Sequence, residues 1–207
     1  MTPTIVDLPA NRQATKSTPT WEIAHLFPLQ GEWSVEEYLA LESNRLIEFA
    51  DGKIEVLPMP TPKHQSLVFY LQLMLWNFVQ QRKLGKVLAA PLSVELWANK
   101  FREPDVIYVS QEKLADQPER YWRNVDLVME VVSPDNPNRD YKTKRKEYER
   151  AKIPEYWIVD PQKNLITVLT HRAKGYQTHG EFRLGELATS PLLSGFELDV
   201  SEVFFIK

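Results

Sequence analysis

Residues 103–160 contain the four stretches that decide the fold: EPDVIYVS (103–110), VDLVMEVVSP (125–134), RDYKTKRKEYERAKI (139–153) and EYWIVD (155–160). The first two and the last are short, apolar and rich in β-branched residues, which is typical of strands buried on both faces. The Lys-rich third stretch predicts a helix. With the segments on either side, these stretches predict an α/β fold in which helices flank a central mixed β-sheet.

Two acidic residues, Asp105 and Glu130, interrupt two of these apolar strands. Acidic residues are depleted in strands, and a buried charge is costly unless it is paired or bound to a metal. Neighbouring strands lie about 4.8 Å apart, so carboxylates on them can share one ion if their registers agree. Mg²⁺ prefers oxygen ligands, and the backbone carbonyl of Val131 can supply another. We therefore predict a divalent-cation site and phosphoryl chemistry. The alternative is that Asp105 caps a strand end and Glu130 pairs with a Lys or Arg.

Lys144 follows Asp140 by four residues and precedes Tyr148 by four, so the three share one face of the predicted helix. If this face lies against the sheet, the Lys144 ammonium reaches the scissile phosphate and stabilises developing charge there. In the alternative, the helix is a solvated basic surface whose charges pair with Glu147 and Glu149.

Glu48 and His64 are two further candidates for the site. Glu48 interrupts an apolar run in a predicted hairpin, where it is either a ligand for a second metal or a solvent-facing strand position. His64 lies at the start of a long predicted helix, where it either assists proton transfer and contacts phosphate or has a structural role.

The rest of the chain predicts a single domain over residues 21–207 behind a mobile, Thr- and Pro-rich tail over residues 1–20. Asp51-Gly52 is a dipeptide typical of a tight hairpin turn. Pro91 interrupts a predicted strand, which suggests an edge position or a bulge. The remaining predicted elements are a capped helix (34–43), an N-terminal hairpin (45–58), a long amphipathic helix (62–84), a strand (86–97), a strand paired with 155–160 (165–172), and extra C-terminal strands or a lid (175–206).

The composition excludes several classes of protein. The 207 residues are 43% hydrophobic and 26% charged, which is ordinary for a globular protein. No run approaches the roughly 18 apolar residues that span a bilayer, and the N-terminus lacks a secretory signal. The chain has no cysteine, which excludes disulfides and thiolate chemistry and fits a cytoplasmic setting. A net charge of −3 argues against nucleic-acid binding through bulk charge, although basic residues cluster locally over residues 139–152.

Several motifs, taken in order, resemble one known family. They are similar to the Uma-type family of putative restriction endonucleases, formerly a domain of unknown function, within the PD-(D/E)XK nuclease superfamily. The resemblance covers about residues 30–205 and is carried by IEFADGKIEVLPMPTPKH (47–64), EPD (103–105), EVVSP (130–134), RDYKTK (139–144) and PEYWIVDP (154–161).

The resemblance implies a restriction-endonuclease-like core and an endonuclease that cuts DNA with Mg²⁺ or Mn²⁺. Asp105 and Glu130 then hold the ion with the Val131 carbonyl, and Glu48 and His64 are accessory site residues. The superfamily pattern puts a lysine where this chain has Val132, and Lys144 on the following helix resembles a relocated form of it. The resemblance also suggests a homodimer, since two subunits can cut both strands.

Two rival hypotheses remain open at this stage. Val132 favours a relative that keeps the fold but has lost turnover, and that acts as a nucleic-acid-binding or assembly module. The other rival is a metal-dependent hydrolase of small phosphate esters, which would need a closed pocket. With 7 glycines and no Gly-rich phosphate loop, the sequence offers no nucleotide cradle for such a hydrolase.

Overall fold

The computed structural model describes residues 27–42 and 45–206. The predicted tail over residues 1–20 lies outside the described residues, and the single domain over 21–207 stays a prediction. In the described part of the chain, no helix is long and apolar enough to cross a membrane.

The described chain contains four α-helices, thirteen strands, a 3-10 helix (Gln111–Asp116) and a π-helix (Arg139–Lys144). In chain order, the helices and strands are α1 (Val35–Ala40), β1 (Ile47–Ala50), β2 (Lys53–Val56), α2 (Pro62–Arg82), β3 (Gly85–Ala89), β4 (Val94–Trp97), β5 (Lys100–Arg102), β6 (Val106–Ser110), β7 (Trp122–Arg123), β8 (Leu127–Val131), α3 (Arg145–Arg150), β9 (Glu155–Asp160), β10 (Leu165–Arg172), β11 (Gly175–Arg183), β12 (Leu187–Thr189), β13 (Glu197–Asp199) and α4 (Val200–Phe204).

The largest sheet has six strands in the order β11-β10-β9-β8-β6-β3. Strands β8 and β9 are parallel and the other pairs are antiparallel, so the sheet is mixed, as the sequence predicts. Strands β8 and β9 are joined through the π-helix and α3, the kind of crossover that parallel strands require. The three strands that carry the fold-deciding apolar runs, β6, β8 and β9, are all interior to the sheet.

A second sheet of five strands, in the order β2-β1-β5-β4-β7, packs beside the first, and β12 and β13 form a small pair. The predicted strand over 86–97 is split between the two large sheets: β3 is an edge strand of the six-stranded sheet, and β4 belongs to the other. Pro91 lies in this break, which agrees with its inability to donate a ladder hydrogen bond. The short strand β5 was not predicted.

The hydrophobic core fills both faces of the six-stranded sheet. On one face, α2 buries the row Leu67, Leu71, Leu75 and Val79, whose spacing of four residues keeps them on one side of the helix. On the other face, Tyr148 of α3 packs among the aromatic and β-branched side chains of the central strands. Alternate residues of β8 supply both layers, because successive side chains of a strand point to opposite faces.

The predicted capping and turn residues are confirmed at the starts of α1 and α2 and in the first hairpin. Ser34 and Glu37 form the predicted capping box of α1, and Thr61 caps α2 with Pro62 in its first turn. Asp51 and Gly52 both have positive φ in the hairpin turn. The predicted helix over 139–153 is less regular: it begins as the π-helix, continues as α3 and ends at Arg150.

Candidate active site

Asp105 and Glu130 lie next to each other at one end of the central sheet. Val106 pairs with Met129 in the antiparallel β6–β8 ladder, which puts Asp105, the residue before β6, opposite Glu130. The backbone N–H of Val131 donates to Asp105 Oδ2 over 2.8 Å. The register condition for two converging carboxylates is therefore met.

Lys144 contacts Glu130 and Asp140. Its Nζ lies 2.7 Å from Glu130 Oε2 and 3.4 Å from Asp140 Oδ1. The Tyr148 hydroxyl donates to Glu130 Oε1 over 2.5 Å. The side chains of Lys144 and Glu130 are only 6% and 2% exposed. The helix face predicted from the four-residue spacing lies against the sheet, and the solvated-helix alternative is wrong for Lys144.

The π-helix and the position of Val132 explain how an amine reaches this point from a helix. Val132 is buried with Val128 and Tyr148 on the face of the sheet that α3 covers. Glu130 shares that face, because it is two residues from each of these valines. A lysine at 132 would point to the same side, so Lys144 enters the region where the superfamily's lysine is expected. π-helical turns are often found at functional sites.

His64 approaches the site from the first turn of α2. Its Nε2 lies 3.3 Å from Asp105 Oδ2. Burial lowers the pKa of His64, but the hydrogen bond and charge of Asp105, with the charge of Glu130, outweigh burial and raise the pKa above its usual value. The imidazole therefore tends to keep its proton while it faces Asp105.

Acidic side chains outnumber basic ones at the site. Asp105, Glu130 and Asp140 converge on the single ammonium of Lys144. Burial raises the pKa of Glu130, and the neighbouring acids Asp105 and Asp140 raise it further, while Lys144 opposes them. The charges of Glu130, Glu48, Asp140 and Asp105 raise the pKa of Lys144 despite its burial, so the amine stays charged.

The residues present fit a hard cation in donor chemistry. Among residues 27–42 and 45–206, no three His, Cys, Asp or Glu side chains are arranged to hold a metal by themselves. The candidate donors are two side chains and one backbone group: Asp105, Glu130 and the carbonyl of Val131. Asp105 Oδ2 accepts from the Val131 N–H and faces His64. Oxygen donors of this kind suit Mg²⁺ or Mn²⁺.

Glu48 lies near enough for its charge to raise the pKa of Lys144, but its own ion pairs are with arginines. Its carboxylate is 1% exposed and accepts from the guanidinium groups of Arg102 and Arg139. Arg102 also makes a two-pronged contact with Glu147 of α3, over 2.7 and 2.8 Å, and Arg139 also pairs with Glu55. Glu48 therefore ties the N-terminal hairpin to the start of the π-helix that carries Lys144. This arrangement does not support its predicted role as a metal ligand.

The site opens into a cleft of about 320 Å³ that both charged and apolar residues line. The cleft is lined by the acidic cluster, Lys144 and His64, with Lys63, Arg139 and Glu103 on its walls. Such a volume suits part of an extended substrate or a small ligand. The cleft is half open, which disfavours the hydrolase of small phosphate esters, for which a closed pocket is expected.

Sequence reasoning missed three residues of this region. Asp140 and Tyr148 entered only as markers of the helix face, although their four-residue spacing from Lys144 was the signal that linked them to the site. Arg102 directly precedes the EPD motif and had no local signal, because its partners Glu48 and Glu147 are distant in sequence.

Comparison with known proteins agrees with this geometry. The model of the family described as "Uma2: Putative restriction endonuclease" matches residues 35–201. The chain belongs to the Uma2 family. A crystal structure of a protein described as a putative nuclease belonging to DUF820, from Anabaena variabilis ATCC 29413, is also similar. The TM-score is 0.70 at 19% sequence identity, over 83% of this chain and 97% of that one. No curated protein matches the chain.

Membership of Uma2 supports a nuclease, and the structural likeness supports the nuclease-like fold. The restriction-endonuclease-like mixed sheet predicted from the sequence is therefore confirmed. The family match spans the hairpin with Glu48, the start of α2 with His64, and all of the segments that carry Asp105, Glu130 and Lys144.

Proposed function

We propose that this Uma2 protein is an endonuclease that hydrolyses phosphodiester bonds of DNA with Mg²⁺ or Mn²⁺. One observation carries the proposal: the buried Lys144 amine lies 2.7 Å from Glu130, beside Asp105, at the floor of an open cleft. This is the juxtaposition of two carboxylates and one amine that metal-assisted phosphoryl transfer requires.

Each residue of the cleft has a proposed role. Asp105, Glu130 and the Val131 carbonyl would hold the ion, which when bound polarises the phosphate and lowers the pKa of a water molecule. Lys144 would place its positive charge against the negative charge that develops on the phosphate. His64, protonated beside Asp105, would donate a proton or a hydrogen bond to a phosphate oxygen. Glu48 would act as a positioning residue through Arg139.

DNA as the substrate is supported by the basic side chains around the cleft. Lys63 and Arg139 line it, and Lys142 and Lys146 are exposed on the helical segment beside it. These basic side chains would contact the phosphates of the substrate backbone beside the acidic floor of the cleft. Binding through few phosphate contacts should weaken steeply with salt.

A homodimer is part of this proposal, because one cleft cuts one strand at a time. The outward face of α2 exposes Leu73 and Trp76 one turn apart, and such apolar side chains suit contact with a second copy. Sedimentation of the wild type should give twice the mass of one chain, and Trp76→Glu should reduce it to one. A monomeric wild type at micromolar concentration would contradict the dimer. A cytoplasmic location, which the lack of cysteine favours, also stays a proposal.

The test is a nicking assay on supercoiled plasmid with Mg²⁺ or Mn²⁺. Asp105→Asn removes one ligand charge at nearly constant volume, and we expect at least a 100-fold loss of nicking. Asp116→Asn, the same change at an exposed acid outside the cleft, serves as the matched control and should nick like wild type. Calorimetric titration of Mn²⁺ should show binding to wild type and none to Asp105→Asn.

If the protein is an inactive relative, no metal-dependent nicking is expected. A folded wild-type protein that binds DNA but does not nick with either metal would favour a binding or assembly module. Nicking that survives Asp105→Asn unchanged would point to contamination or to another site, and would refute the proposed roles.

A further inference from the structure

A second hollow, of about 340 Å³, lies against the candidate active site. It is formed by the first half of α2 on one side and by two loop segments, 58–60 and 89–91, on the other. Most of its surface is apolar, from Leu46, Met59, Val68, Phe69, Ala89 and Pro91. Two amide side chains, Gln65 and Gln72, supply hydrogen-bonding groups on the α2 wall.

The exposure of Phe69 suggests that this hollow binds a ligand. Its side chain is 66% exposed although it is a large aromatic group, and Met59 opposite is exposed as well. An apolar, concave surface with a few polar groups is the usual form of a small-ligand site. Charged groups enter only at its border, through Arg45, His64 and Asp105, so a planar and largely uncharged group would suit its floor.

The hollow adjoins the candidate catalytic cleft. The two share His64, Asp105 and the segment 58–60. A phosphate held beside Asp105 is joined to its base through a single sugar, so that base lies within reach of the hollow.

We propose that this hollow takes one unpaired nucleobase from the nucleotide next to the scissile phosphate. Phe69 would stack on the face of the base, and Gln65 and Gln72 would hydrogen-bond to its edge. The inference rests on the proposed nuclease function and specifies that the preferred substrate contains an unpaired nucleotide. In a duplex the base is stacked and paired, and bringing it out costs free energy. The protein should therefore favour DNA in which this nucleotide is already unpaired.

The volume of the hollow favours a base over a second copy of the chain. It lies at the low end of the range for small-ligand pockets, which is enough for a single planar group. A stable protein interface needs on the order of 1,000 Å² or more, and the exposed pair Leu73 and Trp76 lies further along α2, outside the residues that line the hollow.

The test measures binding with EDTA present, so that no strand is cut. Three labelled DNAs of the same sequence are compared by fluorescence anisotropy: a perfect duplex, one with a single bulged nucleotide, and one in which that nucleotide is abasic. Stacking on an aromatic side chain predicts that the bulged base binds roughly 5- to 150-fold tighter than the abasic bulge. Phe69→Ala should remove this preference.

Phe205→Ala is the matched control, because Phe205 is 64% exposed and lies outside both hollows. It should keep the full preference for the bulged base. Equal binding of the bulged and abasic DNAs by wild type would overturn the inference, and so would a preference that survives Phe69→Ala. A lower oligomeric mass of Phe69→Ala with an unchanged preference would assign the hollow to contact between copies and would also overturn it.

The base site and the nuclease function can be refuted independently of each other. Nicking by the wild type without any base preference would overturn the base site and leave the nuclease intact. A base preference in Asp105→Asn, which should not nick, would support the hollow independently of catalysis.

Discussion

Lys144→Met is the substitution that tests the buried cluster most directly. Methionine keeps the length and most of the volume of lysine but removes the charge. Glu130 and Asp140 would then lose their shared cation while Glu130 stays buried. Removing one partner of a buried ion pair typically costs about 3–5 kcal/mol, because the remaining charge is left uncompensated. Since both side chains are almost fully buried, little of this is lost to solvent screening. We expect that cost where Glu130 is ionised in the wild type, above about pH 8.

The cost should shrink as the pH falls. Lys144 is the group that opposes the upward shift in the pKa of Glu130, so its removal raises that pKa further. An acid whose folded-state pKa is raised is favoured in its protonated form, so its stabilisation is present at low pH. It is lost as the pH rises from the ordinary glutamate value of about 4.3 through the folded-state value. The pKa of Glu130 is already raised to about 8 in the wild type, so the deficit of Lys144→Met should be larger at about pH 9.5 than at about pH 5.

The measurement is urea unfolding of wild type and variant at both pH values, at one protein concentration. Lys146→Met makes the same change at an exposed lysine two residues away and should cost less than about 0.5 kcal/mol. A double variant, Lys144→Met with Glu130→Leu, removes both charges. Its loss should be smaller than the sum of the two single losses by about 0.5–3 kcal/mol.

A small effect would refute this reasoning. If Lys144→Met costs under about 1 kcal/mol at high pH, the amine behaves as one of an exposed pair. The same conclusion follows if the deficit does not depend on pH. In either case, the convergence of Asp105, Glu130 and Lys144 would lose its physical basis.

Three further predictions concern the surroundings of the site. Tyr148→Phe removes the hydroxyl that donates to Glu130 and should lower the free energy of unfolding by about 1.5–3 kcal/mol in urea titrations. Leu75→Ala opens a cavity in the fully buried row of α2 and should cost about 2–5 kcal/mol, with no change in the metal affinity measured by calorimetry. Burial raises the pKa of Glu103 to about 7, although the Ile47 N–H opposes it, so wild-type stability due to Glu103 falls as the pH rises from about 4.5 through 7. Glu103→Gln should reduce the change of the thermal unfolding midpoint with pH over this range. An unchanged pH dependence of the midpoint would exclude Glu103 as its source.

Hydrophobic periodicity made the core predictable from the sequence. The strands over 106–110, 127–131 and 155–160 stand out because β-branched and apolar residues fill both faces. The helix α2 stands out because its apolar residues repeat at helical spacing between a proline and a glycine. These patterns are local, so they can be recognised in the sequence without knowledge of the tertiary fold.

The second sheet was less visible for the same reason. Strand β5 has three residues, and its neighbours β1 and β4 are distant from it in sequence or joined to it by a short turn. The π-helix was hidden too, because one extra residue in a turn does not change the composition of residues 139–144. Features of this kind depend on packing, so their signal in a window of residues is weak.

Some features of the candidate site are likewise predictable from local sequence, and others depend on tertiary packing. The sequence by itself singled out Asp105, Glu130 and Lys144, because a charge inside an apolar run and an amine on a periodic helix face are local anomalies. Only the tertiary structure decided that Lys144 contacts Glu130, that Glu48 turns away to Arg102 and Arg139, and that His64 meets Asp105. The physical reason is that ion pairing in a fold depends on distances between segments up to 91 residues apart, and no local pattern encodes those distances.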